Sequence, residues 1–252
     1  MASASGFEGS RRPRPSRAAT WALIALGLAV GAGACGSRPS RDAAPAPTAA
    51  PGSSCAPAVL TGEAVARPRI VILGDSLTAG LGLPIEESFP AVLQRRIEEL
   101  GYAYEVVNMG VSGDTSTGGL SRLDWALEGD VRVLVLALGG NDGLRGLSPA
   151  DMAANLGAIV DRARERGVTV LLCGMEAPPN LGATYTQQFR AAYRQLARDK
   201  RVAFLPFLLE GVAGDPALNQ ADGIHPNAAG AQRVADVVWK QLQPILDGQP
   251  ST

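Results

Sequence analysis

Five short, predominantly apolar runs constrain this chain more than any other feature: RIVILGD (69–75), AYEVVNMG (103–110), VRVLVLALGG (131–140), VTVLLCG (168–174) and VAFLP (202–206). Apolar runs of this length without polar alternation read as strands buried on both faces, the environment of a parallel sheet covered by helices. The segments between them carry helical signals. In 85–100, Phe89, Val92, Leu93, Ile97 and Leu100 share one side, and 148–167 opens on Ser148 and Pro149. A helix over 116–129 is weakened by its glycines, and further helices are expected near 184–199 and over 227–246. Strands alternating with helices predict one α/β domain over residues 69–252, a five-stranded parallel sheet with helices on both faces.

The first 68 residues break this pattern. Arg11, Arg12, Arg14 and Arg17 precede WALIALGLAV (21–30), an apolar stretch suited to a signal peptide and short of the ~20 residues that span a bilayer. Small residues then lead to Cys35 in GAGAC, which resembles a bacterial lipoprotein processing site. Residues 1–35 are therefore expected to direct export to the periplasm or cell envelope, and lipidation at Cys35 to anchor the chain to a membrane, with ordinary signal cleavage as the alternative. Residues 36–68, rich in Pro, Ala and Ser, read as a disordered linker. Charge follows the same division. Residues 1–68 hold seven Arg against three acids, so a whole-chain charge of −1 leaves −5 for the remainder. That balance gives the folded part no basic footprint for nucleic acid.

In a parallel α/β sheet, functional groups collect beyond the carboxyl ends of the strands. Those ends here carry GDSL (74–77), VSGDTS (111–116), GGND (139–142) and, through a longer loop, DGIHPN (222–227). His225 is the only histidine in the chain. Imidazole is the side chain whose unperturbed titration falls near neutrality, which suits a general base. Acyl transfer needs a nucleophile, a base, a group orienting that base, and donors for an oxyanion. Ser76, His225 and Asp222 supply the first three. Backbone N–H groups of Ser76 and Gly113, with the Asn141 amide, supply the donors, and a missing Cβ at Gly113 would let a ligand approach closely. Asp75 is expected to order the turn at Ser76 and to border the substrate.

These four blocks, in order and spacing, resemble those of the SGNH (GDSL) hydrolases, and GGNDGLRG, PPNLG and KQLQP extend the likeness toward bacterial arylesterases and acyl thioesterase/lysophospholipases. The resemblance implies a flavodoxin-like three-layer α/β/α sandwich. It implies Ser76, Asp222 and His225 as a catalytic triad and Ser76, Gly113 and Asn141 as the oxyanion hole. MEAPPNLG (175–182) corresponds to the loop over the acyl site, placing Ala177 and Pro178 against substrate; relatives typically carry a larger apolar residue at Ala177. The implied substrates are small acyl esters, thioesters or lysophospholipids, with no cofactor and no metal.

Other readings remain beside this one. A glycan O-deacetylase of the same fold, or a lipoprotein that binds acylated ligands without turnover, would share much of the pattern. GAGACG (31–36) matches a dinucleotide-binding fingerprint but follows no strand. GDSLT lacks the G-x-S-x-G of the α/β-hydrolase elbow. Asp114 and Asp142 read as loop-ordering residues, and Cys173 as a buried core thiol.

Overall fold

The computed structural model describes residues 67–248. The expected signal segment, Cys35 and nearly all of the expected linker lie outside the described residues. The strands are β1 (Arg69–Gly74), β2 (Glu105–Gly110), β3 (Val131–Ala137), β4 (Thr169–Cys173) and β5 (Ala203–Leu205). They form one sheet in the order β2-β1-β3-β4-β5, and every pairing is parallel. This is the flavodoxin-like order, whose ligand crevice opens at the reversal between β1 and β3.

The central strands meet the expectation of two-sided burial: Ile70, Ile72, Leu73, Leu134, Val135, Leu136, Leu171 and Leu172 are fully inaccessible. Edge strand β2 is half-buried throughout. The longer helices are α2 (Phe89–Glu99), α6 (Pro149–Glu165), α7 (Ala183–Lys200) and α8 (Ala228–Leu246). α2 packs on α8, while α6 packs on α7 and on the short α3 (Ser116–Ser121), giving a helical layer on each face of the sheet. Ser148 caps α6 through its side chain and Asn227 caps α8, each satisfying an otherwise unpaired N–H of a first turn.

The structure departs from the sequence reading in four places. Residues 85–100 are not one helix: a 3-10 turn, Ile85–Glu87, precedes α2, and Ser88 between them is extended. Pro90 cannot donate to a carbonyl four residues back, which confines it to the first turn. Residues 116–129 divide at Arg122 into α3 and α4 (Leu123–Ala126). The Arg122 guanidinium donates to the carbonyls of Met109 and Gly74 and to Asp114, so this position is held to the strand ends. β3 stops at Ala137; Gly139 adopts φ 108 and the chain turns into α5 (Gly140–Leu144). The four-residue α1 (Ser76–Ala79) was also not foreseen. One or two helical turns contain no period to detect.

Register brings the functional loops level. Gly74 pairs with Gly110 on one side and Ala137 on the other, so the segments after β1, β2 and β3 leave the sheet together. Gly110 is required by close approach: a Cβ there would lie 2.2 Å from the Ala79 amide nitrogen.

Candidate active site

Ser76 is the first residue of α1. Asp75 caps that helix, its Oδ1 accepting from the Leu77 N–H at 3.0 Å. This cap places the Ser76 side chain at a helix N-terminus beside the sheet's carboxyl edge, nearly buried. His225 arrives from the other end of the chain, on the loop between β5 and α8. Gln220 N–H donates to the His225 carbonyl, an Asn219–Pro226 bridge pairs the loop's two arms, and the Asn219 amide donates to the carbonyls of Val212 and Asp215. The Gln220 side chain also donates to Leu81 and Pro226 carbonyls, tying the histidine loop to the segment after α1.

The two ends meet at hydrogen-bond distance. His225 Nε2 lies 2.9 Å from Ser76 Oγ, and His225 Nδ1 lies 2.6 Å from Asp222 Oδ2. Asp222 Oδ1 accepts from the backbone N–H groups of Ile224 and His225. The His225 N–H, its imidazole and the Ile224 N–H together hold the Asp222 carboxyl down at about 2. An ionised acceptor at Nδ1 keeps the ring proton there and leaves the Nε2 lone pair facing the serine hydroxyl.

The sequence-derived donors border the same space. Ser76, Gly113, Asn141, His225, Asp75, Ala177 and Pro178 all line one cavity of about 750 Å³. Asp222 stands behind the imidazole and does not line it. Met175, Phe207 and Leu209 make much of the remaining wall apolar. Gly113 has room for a Cβ, whose nearest neighbour would be Arg145 Nη2 at 3.7 Å. Its φ of +82 is a second reason for glycine here, since L side chains rarely adopt that backbone conformation.

Asn141 is held on both amide hydrogens. Its Nδ2 donates to the Asp114 carbonyl at 2.9 Å and, more weakly, to Asp75 Oδ2 at 3.3 Å. Asp75 is almost completely inaccessible, and burial raises its carboxyl from 3.8 to about 6, against the lowering effects of the Leu77 N–H and the nearby imidazole.

Asp142 orders its loop, as the sequence suggests, and three further supporting residues escaped sequence reasoning. Asp142 is buried and accepts from both the N–H and the hydroxyl of Ser116, fastening α5 to α3. Arg122 pairs with Asp114 at 2.7 Å, both largely shielded from solvent, while cross-linking the ends of β1 and β2. Arg145 Nη2 donates to the Gly113 carbonyl at 2.7 Å. Gln220 is the third. Only Arg145 carried a signal, since it falls within GGNDGLRG. Among the described residues no group of three or more His, Cys, Asp or Glu side chains is placed to hold a metal ion.

Comparison with known proteins gives concordant findings. The sequence model of the GDSL-like Lipase/Acylhydrolase family matches residues 72–233. The chain is 44% identical over 195 residues to Esterase TesA of Pseudomonas aeruginosa, covering 77% of this chain and 97% of that protein. It is 36% identical to an Arylesterase of Vibrio mimicus (73% and 92% covered) and 38% identical to Thioesterase 1/protease 1/lysophospholipase L1 of Escherichia coli (75% and 90% covered). Among solved structures, the psychrotrophic esterase EstA of Pseudoalteromonas, inhibited by monoethylphosphonate, superimposes with a TM-score of 0.68 at 32% identity, covering 71% of this chain and 98% of that one.

Proposed function

The chain belongs to the GDSL-like lipase/acylhydrolase family and is an ester-hydrolysing enzyme, and from that premise we propose that Ser76, His225 and Asp222 carry the reaction on aryl esters and thioesters of short to medium acids. The observation that carries this reading is the continuous relay from Ser76 Oγ through both imidazole nitrogens to Asp222. Ser76 Oγ attacks the acyl carbonyl carbon as its proton passes to His225 Nε2. The resulting imidazolium is stabilised by the ionised Asp222. The carbonyl oxygen becomes an oxyanion, received by the N–H groups of Ser76 and Gly113 and by one Asn141 N–H, which leaves its long contact with Asp75. Collapse expels the alcohol or thiol, which takes the proton from Nε2. Water, deprotonated by the same nitrogen, then attacks the acyl-enzyme and releases the acid. No cofactor enters these steps.

The apolar cavity wall supports an acyl chain as the group bound, with Ala177 and Pro178 against it. Lysophospholipids are the next substrate class, named for the Escherichia coli relative. A panel of p-nitrophenyl esters of increasing chain length tests the reading: turnover is expected to persist well beyond acetate. Activity confined to acetyl groups, and greater on acetylated sugars, would favour a glycan deacetylase instead.

We also propose export, with residues 1–35 as the signal and Cys35 as the lipidated residue. The arginines before residues 21–30 and the small residues before Cys35 support it. Mass spectrometry of the mature N-terminus decides it, since a first residue well beyond Cys35 excludes lipidation.

A further inference from the structure

Large apolar side chains that remain exposed are not spread evenly over the described surface. Leu100, at the end of α2, and Trp125, in α4 ahead of β3, lie toward the amino edge of the sheet. The others lie on segments that follow the strands' carboxyl ends, the edge that carries the cavity. Leu81 and Ile85 stand between α1 and α2, and Val111 follows β2. Leu144 and Leu147 belong to α5 and its exit, Leu181 to the 3-10 turn before α7, and Ile224 to the histidine loop. Leu81, Leu144 and Ile224 also line the cavity itself, so its apolar wall continues outward onto the rim. Exposed apolar patches that run into a binding cleft mark a surface that meets an apolar partner.

The charges around this rim select the partner. Glu86, Glu87, Glu176 and Asp222 are exposed there, against Arg145, Arg190, already paired with Glu176 at 2.9 Å, and Arg95, which donates to the Glu86 carbonyl. Carboxylates within a Debye length of about 8 Å would repel an anionic surface at physiological salt. They would attract the choline ammonium that forms the outermost layer of a zwitterionic phospholipid.

We propose that this rim docks on a zwitterionic phospholipid surface, with Ile85, Leu147 and Leu181 entering the interface while Leu81, Leu144 and Ile224 conduct an acyl chain from it into the cavity. The inference rests on the acyl-ester reading for what the cavity receives, but docking itself requires no turnover.

The test uses the full chain carrying Leu181→Trp, and separately Leu100→Trp as an opposite-edge control, each corrected for the fluorescence of the wild-type protein. Dioleoylphosphatidylcholine vesicles containing a brominated phosphatidylcholine should quench the added signal of Leu181→Trp several-fold more than that of Leu100→Trp. Equal quenching, or none at Leu181→Trp, overturns the proposal, including the case in which residues outside the described region alone hold the chain on vesicles. The triple variant Ile85→Ser, Leu147→Ser, Leu181→Ser, none of whose positions lines the cavity, should retain turnover of soluble p-nitrophenyl acetate. In the Leu100→Trp background it should lower the rate on a long-chain ester presented in the same vesicles by about 10-fold or more, as expected for losing three buried apolar side chains. An unchanged vesicle rate counts against docking. Replacing part of the lipid with phosphatidylglycerol should weaken quenching; strengthened quenching overturns the zwitterionic assignment. Absence of p-nitrophenyl acetate hydrolysis by the wild-type protein would instead refute the esterase reading and leave the quenching result standing.

Discussion

Asp75→Asn should make the protein less sensitive to pH, with a sign that follows from burial. In an unfolded chain the Asp75 carboxyl ionises near its ordinary 3.8, whereas in the folded protein burial raises it to about 6. Between those values the folded state binds more protons than the unfolded state, so stability falls as pH rises through this window. Above about 6 the folded protein carries the whole penalty of a buried charge, compensated only in part by the Leu77 N–H and the Asn141 amide. At about 1.36 kcal/mol per unit, the wild type should lose about 2–3 kcal/mol relative to Asp75→Asn between pH 4 and pH 7. Asparagine keeps an oxygen to cap Leu77, and any new donor-to-donor contact with Asn141 is independent of pH, so it shifts both ends of the comparison equally. Urea unfolding of both proteins at pH 4, 5, 6 and 7 provides the measurement. Titrating groups that do not interact with Asp75 are common to the pair and cancel, and the couplings to His225 and Asp114 are part of the difference measured. A wild-type-minus-variant difference that stays constant across this range would refute the argument.

Asp222→Asn should cost about 10⁴-fold in kcat and lower the unfolding temperature modestly, because an amide facing Nδ1 reverses the tautomer and loses the charge, while its oxygen can still accept from the Ile224 and His225 N–H groups. Ester hydrolysis with parallel thermal melts would check this. Asn141→Ala should lower kcat by roughly 10²–10³ and leave the pH profile in place, as loss of one oxyanion donor does when the base is untouched. Arg145→Ala should reduce kcat more than it raises KM, since the guanidinium reaches the reaction only by holding the Gly113 carbonyl. Partial recovery in Arg145→Lys, which keeps one donor and the charge, would support that positioning role.

The elements most legible in the sequence were those specified by repeated local signals. Five apolar runs became five parallel strands, and the helices with several turns of spacing, such as 148–167 and 227–246, lie within about two residues of α6 and α8. The catalytic edge was legible for a related reason: Gly-rich polar clusters follow four of the five strand ends, and parallel topology puts those ends on one side. What escaped was short or non-local. α1 and α5 span too few residues to show a period, yet they carry Ser76 and Asn141. Arg122 looked like an ordinary residue of a weak helix because its partners, Met109, Gly74 and Asp114, are brought beside it only by the folded sheet. Gln220 meets Leu81 across 139 positions of sequence, a relation no local pattern encodes. At Gly113 the need for φ +82 was not legible either, because it is a property of the loop's path.

The most direct test of the account is the site of covalent capture by diethyl p-nitrophenyl phosphate. A hydroxyl 2.9 Å from an imidazole held by a carboxylate should attack the phosphorus centre, whereas isolated surface serines lack a base. Peptide mass spectrometry of the inactivated protein should find one adduct, on Ser76, formed in proportion to the activity lost, and none in Ser76→Ala. Modification at another residue accompanying inactivation, or wild-type turnover by a folded Ser76→Ala variant, would contradict the assignment of Ser76 as nucleophile.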